Sequence, residues 1–137
     1  MRPKICIVVS EYNDDITADI QNSAVHKLQK EKLTRNEIKI IYVKGAFEIP
    51  CAIAKLIEKF DGFIAVGCII KGKTPNFDFI SQAITNGIMK LSISNKKPIG
   101  NAIITCLNKK QAIKRVHNGK EAATAVLDIL STLEWNR

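Results

Sequence analysis

Aromatic residues are scarce in this chain, with one Trp, two Tyr and five Phe among 137 residues. A surface that grips nucleic acid interleaves stacking rings with cations. Here the cations are scattered along apparent polar faces and turns (Lys27, Lys30, Lys55, Lys59, Lys90, Lys109), so the net charge of +8 reads as solvated surface, and no nucleic-acid partner is expected. Cysteine is sparse too. Cys6, Cys51, Cys68 and Cys106 each sit in an apolar run and no two share a C-x-x-C spacing, which argues against a zinc site or a disulfide frame and for reduced core thiols in a cytoplasmic setting. The two histidines, His26 and His117, stand far apart in the sequence, and no metal-ligand spacing includes them. No apolar run approaches the ~18 residues of a membrane span. The segment Lys4 to Val9 is too short for a secretory leader and runs into Glu11, so no membrane or export role is expected.

What is present includes a trap. Gly67-Cys68-Ile69-Ile70-Lys71-Gly72-Lys73-Thr74 fits G-x-x-x-x-G-K-[ST], the pattern of a phosphate-wrapping nucleotide loop. In such a loop the Lys and Ser/Thr belong to the first turn of a helix. Here Cys68-Ile69-Ile70 continues a strand begun near Phe63, and Pro75 pushes the preceding Thr74 away from helical backbone. A nucleotide hydrolase is therefore the weaker reading. A strand that ends in a Gly/Lys/Thr turn just ahead of a helix remains a natural place for an anion.

The rest of the chain alternates regularly. Residues 4–10, 37–43, 62–70 and 99–105 are rich in Ile and Val and nearly continuous in apolar character, as strands buried on both faces are. Between them lie amphipathic stretches. Ile16, Ile20, Ala24 and Leu28 fall on one face of a first helix, with His26 pointing away. A second helix covers about 50–60 and opens at Pro50, a third about 77–93, and a fourth about 108–115 with Asn108 as cap. A fifth spans about 118–134, with Ala122, Val126, Ile129 and Leu133 as its apolar stripe. This rhythm predicts one domain over residues 1–137: an α/β, three-layer αβα sandwich around a four-stranded parallel, flavodoxin-like sheet.

In such sheets ligands bind beyond the carboxyl ends of the strands. The loops there read Ser10-Glu11-Tyr12-Asn13, Lys44-Gly45-Ala46-Phe47-Glu48, Lys71 to Asp78, and Thr105-Cys106-Leu107-Asn108. They offer a ring, a carboxylate, hydroxyls, glycine amides and lysines, an inventory suited to a flat polar heterocycle and a phosphate. Several stretches occur in a telling order: Tyr12-Asn13 with Ile16-Thr17, the hexapeptide GAFEIP at 45–50, Gly67 to Asp78 with Phe77, then Gln111-Ala112, Arg115, and Gly119 with Glu121-Ala122-Ala123. Together they resemble the 6,7-dimethyl-8-ribityllumazine synthases along nearly the whole chain.

That resemblance implies a transferase of riboflavin biosynthesis. It would condense two small molecules, 5-amino-6-(D-ribitylamino)uracil and 3,4-dihydroxy-2-butanone 4-phosphate, without a redox or metal cofactor. It further implies that Tyr12 lies against the pyrimidine, that Ala46, Phe47 and Glu48 hold the uracil substrate, and that Cys68, Ile69 and Ile70 meet the pyrimidine edge through backbone groups. Lys73 and Thr74 would meet the phosphate-bearing substrate, and Arg115 its phosphate. The family's sites lie between subunits of a homopentamer, which in some members assembles further or associates with riboflavin synthase. Two positions depart from the pattern. Asn76 stands where the family has a proton-relaying histidine, and an amide does not titrate near pH 7. Asn101 stands where a neighbouring subunit commonly supplies an aromatic ring. Asn76 thus also permits a catalytically weak lumazine or flavin binder, and leaves His117 as a substitute proton carrier.

Overall fold

The computed structural model describes residues 2–73 and 75–135, with side chains through residue 132. Four parallel strands, β1 (Ile5–Ser10), β2 (Ile38–Val43), β3 (Gly62–Ile70) and β4 (Ile99–Cys106), form one sheet in the order β2-β1-β3-β4. The register runs Ile5 against Ile38 and Gly62, and Phe63 against Ile99. β1 and β3 are the central strands and are almost wholly buried, which is why their sequences show no polar alternation. The expected αβα sandwich with a flavodoxin-like sheet is what forms.

Strand alternation sorts the core into two layers. Ile5, Ile7, Val9, Ile64, Val66, Ala102 and Ile104 point to one face, where α1 (Asp14–Lys30), α4 (Lys109–Ile113) and α5 (Asn118–Trp135) cover them. Cys6, Val8, Phe63 and Ala65 point to the other, under α2 (Ile49–Leu56) and α3 (Asn76–Asn95). On the first face Ile16, Ile20, Ala24 and Leu28 are buried as their spacing predicts, and His26 stays off that stripe. Contact there is close: a Cβ added at Gly119 would run into the carbonyl oxygen of Ile20, so only glycine lets α5 start against α1.

The stripe expected on α5 holds only in part. Ala122 and Val126 are buried, but Ile129 is 54% exposed, and the side chain of Leu133 lies outside the described residues. α5 runs down the sheet from its carboxyl end, and Val126 already sits at Gly62 and Gly100, where β3 and β4 begin. One turn later no strand remains beneath the helix. Burial passes instead to Leu127 and Leu130, which turn toward the core shared with α1. Two short 3-10 turns, Arg35–Glu37 and Ala46–Glu48, also precede β2 and α2. Both are closed by a Glu side chain returning to the backbone three residues earlier, at Thr34 N (2.8 Å) and Gly45 N (2.8 Å).

Candidate active site

The sheet reverses its winding at β1, whose neighbours β2 and β3 are reached from opposite directions, and the loops diverging above such a point leave a crevice. Tyr12 and Phe47 flank this crevice with 72% and 62% of their surfaces exposed, unusually high for rings of a folded chain. Loop 1 (residues 11–13, after β1) is tied to the end of β2 and to loop 2 (residues 44–45) by Glu11 N–H to Val43 O (2.8 Å) and Tyr12 N–H to Lys44 O (3.1 Å). Ala46, Phe47 and Glu48 form the 3-10 turn behind them. Glu48 Oε1 accepts the Gly45 amide, which closes the turn and fixes the carboxylate at the start of α2.

Beyond Val66, β3 outruns β1, so the backbone of Gly67 to Ile70 has no strand on that side. Asn13 takes up part of the vacated edge. It adopts left-handed backbone (φ 61°, ψ 45°), tolerated by Asn better than by most residues, and its Nδ2 donates to Cys68 O at 3.0 Å. Lys71 N–H donates the other way, to Cys106 O on β4 (2.9 Å). Backbone groups alternate between the two edges of the strand, so those of Cys68 and Ile70 face the crevice side and those of Ile69 face β4, while the side chains of Cys68 and Ile70 pack into the α1/α4/α5 core. Sequence reasoning gives Asn13 no role beyond its place in the pattern; the signal available was an Asn directly before a helix start.

The nucleotide-loop pattern dissolves in three dimensions. Its first four residues are the end of β3, and Lys73 lies in the connecting loop, outside α3, which begins at Asn76. Thr74 lies outside the described residues. Asn76 is the first helical residue, with Pro75 in the capping position and its carbonyl accepting from Asp78 N.

Arg115 follows α4 and reaches the end of β4, where Nη1 donates to Thr105 O (3.0 Å) and approaches Cys106 Sγ (3.9 Å). Its anchor belongs to the α1/α4/α5 face, whereas the Ala46–Glu48 turn packs on the α2/α3 face. Asn101 is exposed on β4 opposite Ala65, its Oδ1 accepting from Ile103 N (3.0 Å). It lies five residues below Cys106, or roughly 17 Å at strand rise. One chain therefore gathers Tyr12, Asn13, the 46–48 turn and Cys68 around the crevice, sets Arg115 across the sheet end, and keeps Asn101 well down the outer edge.

Electrostatics divide the loops by role. The Cys68 thiol is pushed up to about 11, chiefly by burial, and Cys6 to about 12, so both are protonated packing groups near neutrality. Lys109 Nζ stands 2.6 Å from Asp15 Oδ2, bracing α4 against the start of α1. Lys109 holds the Asp15 carboxyl below its usual range. His117 Nε2 is 3.1 Å from Glu121 Oε1 on α5. A cavity of about 460 Å³ beside loop 1 is lined by Glu11, Asp14, Gln21 and Tyr42 and by no cation, which suits a phosphate poorly. Among the described residues no cluster of three His, Cys, Asp or Glu could hold a metal, and no helix is long and apolar enough to cross a membrane.

Comparison with known proteins identifies one family. Residues 2–134 fit the family model described as 6,7-dimethyl-8-ribityllumazine synthase. The chain is 35% identical to the 6,7-dimethyl-8-ribityllumazine synthase of Corynebacterium kroppenstedtii, over 96% of this chain and 85% of that protein. It is 36% identical to the synthase of that name from Nitratidesulfovibrio vulgaris and 32% to that from Desulfovibrio desulfuricans, each over 96% of this chain and 88% of the relative. With its crevice loops in the expected order and the match running almost end to end, the chain belongs to the 6,7-dimethyl-8-ribityllumazine synthase family.

Proposed function

We propose that this protein is a transferase that condenses 5-amino-6-(D-ribitylamino)uracil with 3,4-dihydroxy-2-butanone 4-phosphate to give 6,7-dimethyl-8-ribityllumazine, phosphate and water. The observation that carries this reading is the meeting of Tyr12, the Ala46–Glu48 turn and the edge of β3 that β1 leaves uncovered beyond Val66, in a chain that matches synthases of that name almost throughout. The uracil's primary amine attacks the butanone carbonyl and water leaves, forming an imine. Inorganic phosphate is then eliminated to leave an enol that tautomerises to a ketone, and the ribityl-bearing nitrogen adds to that carbonyl and closes the second ring with loss of a second water.

Each role follows from side-chain chemistry. Tyr12 stacks on the pyrimidine. Backbone groups of Ala46, Phe47, Cys68 and Ile70 pair with its edge, Ile69 packs beside them, and Glu48 accepts ribityl hydroxyls. Lys73 and Thr74 meet the phosphate-bearing substrate, and Arg115 pairs with its phosphate, for which a guanidinium fork is well shaped. Holding two substrates in register supplies much of the rate. The separation of Arg115 and Asn101 from the 46–48 turn favours a site completed by a second copy, and the exposed apolar residues Phe79, Met89 and Ile93 of α3 give that copy a surface to cover. We take the assembly to be a homopentamer in the cytoplasm; larger shells and association with riboflavin synthase extend the same proposal.

Mixing the purified protein with both substrates and following product absorbance and fluorescence tests the reading. Catalysis above the spontaneous reaction is expected, and its absence would sink the enzyme in favour of a binder. Asn76→His refines the test. A relay worth roughly 10²-fold should reappear, with a new inflection near the imidazole pKa of about 6.5. An unchanged rate and profile would mean that Asn76 marks no lost proton carrier.

A further inference from the structure

Two hydroxyls are buried without a hydrogen-bond partner among the described residues, Ser10 Oγ and Ser81 Oγ. Native interiors seldom leave such groups unpaired. The two lie on the same side of the sheet and at the same end of it. Ser10 is the last residue of β1 and is 0% exposed. Val9 points into the α1/α5 core, so Ser10 points to the opposite face, with Cys6 and Val8. One step beyond the Val9–Val66 pair it stands beside Gly67, and a Cβ on Gly67 would meet Ala46 Cβ at 3.4 Å. The side chain of Ser10 therefore lies level with the floor of the Ala46–Glu48 turn.

Ser81 comes from the other direction. It stands one turn before Ile84 on the face of α3 that carries Ile84 and Ile88 into the core, and it is the polar residue among these three. α3 packs against the 46–48 turn as well as against α2. The backbone carbonyls of both serines are already used, by Thr17 Oγ1 (2.9 Å) and Thr85 Oγ1 (2.8 Å). Their hydroxyls are what remains.

We infer that Ser10 and Ser81 are positioning residues for the uracil substrate: their hydroxyls form a hidden polar floor beneath the Ala46–Glu48 turn and gain hydrogen bonds when a seated pyrimidine presses the turn inward. The inference rests on the transferase reading above. Ligand binding favours a conformation only through interactions it makes there and not elsewhere. A hydroxyl unpaired in the free chain and paired in the bound one supplies such a difference, and Ser10 and Ser81 act through the turn, without touching the ring.

The test sets affinity against stability. Ser10→Ala, Ser81→Ala and the double variant are titrated with 6,7-dimethyl-8-ribityllumazine by fluorescence, and each is unfolded in urea. Because the free protein loses no hydrogen bond, the unfolding midpoint should stay level or rise, while Kd weakens roughly 3- to 10-fold for each hydroxyl removed. Ser81→Thr, which keeps the hydroxyl on a part-exposed residue, should recover the wild-type Kd. If the wild type binds the lumazine and the alanine variants bind within twofold of it, the inference is overturned. It is equally overturned if the alanine variants lose stability and keep their Kd, since the hydroxyls then serve the fold. A wild type that does not bind the lumazine would instead overturn the transferase reading.

Discussion

The two faces of the sheet are built to different tolerances. Under α1, α4 and α5 the packing admits no extra atom at key points: Gly119 sits on the carbonyl of Ile20, and a Cβ at Gly100 would stand 2.6 Å from the carbonyl oxygen of Ala122. Under α2 and α3 the fit is looser. α3 has twenty residues, yet only Ile84 and Ile88 are fully buried, while Phe79, Met89 and Ile93 are each more than half exposed. The first face holds the chain together. The second carries the turn, the helix start and the apolar surface that the proposed chemistry and assembly require, and it keeps them free of packing constraints that would oppose movement.

The sharpest way to break this contrast is to add one methyl group to each face. Gly119→Ala forces backbone against backbone where α5 meets α1, and should cost about 3 kcal/mol. Gly87→Ala on α3 meets only Pro50, at Cβ (3.4 Å) and Cγ (3.5 Å), ordinary contacts, and should stabilise by about 0.5–1 kcal/mol through better helix propensity. Urea unfolding of the two variants measures both. Equal costs would show that the faces do not differ.

The next largest effect is expected in assembly. Replacing Met89 and Ile93 together by Asp places two carboxylates on the outward face of α3, far from the buried Ile84 stripe. If that face is covered by a second copy, sedimentation should report a smaller species that keeps its secondary structure, and turnover should fall because the site loses its completing chain. Unchanged mass with unchanged turnover would detach α3 from assembly.

Much of the fold was legible because buried parallel strands leave an unmistakable mark: Ile5 to Val9 and Phe63 to Ile70 are apolar without alternation, and Gly45, Gly72, Pro75 and Pro98 fall between elements. The exposure of Ile129 was not legible, since its helical phase is right and only the length of the strands beneath α5 removes its partners. The candidate site was readable as an ordered set of loop residues, and the structure sets those loops at the carboxyl end of the sheet. How its members pair was not. Asn13 holding Cys68 O depends on β3 outrunning β1, and Asp15 meeting Lys109 joins residues distant in sequence through the placement of α4. Ser81 was invisible for a different reason: a serine in a helix stripe looks like any surface serine until the stripe is seen to face the core.

Acid should separate the two faces most gently. The ion pairs among the described residues join Arg2 to Glu37, Lys27 to Glu31 and Lys109 to Asp15, with His117 in contact with Glu121, and none of these involves α2 or α3. The Arg2 guanidinium at 2.5 Å, helped by the Thr34 amide, holds the Glu37 carboxyl down at about 2 against an ordinary 4.5, and Lys109 lowers Asp15 in the same direction. A carboxyl whose folded pKa is depressed adds stability above its unfolded pKa and loses it as pH falls toward the folded value. The contribution of Glu37 should therefore be intact above about pH 4.5 and fade between there and about pH 2. Asp15 is about half exposed and Glu37, though its side chain is only 12% accessible, lies at the surface, so salt screens both and the change in urea midpoint should be small. Glu37→Gln should remove part of the acid slope and leave the midpoint near neutrality little altered. Hydrogen exchange followed as pH is lowered through this window, and corrected for the intrinsic rate, should show α1 and the loop before β2 opening ahead of α3. If α3 opens first, the tightly packed face is not the one these ion pairs support.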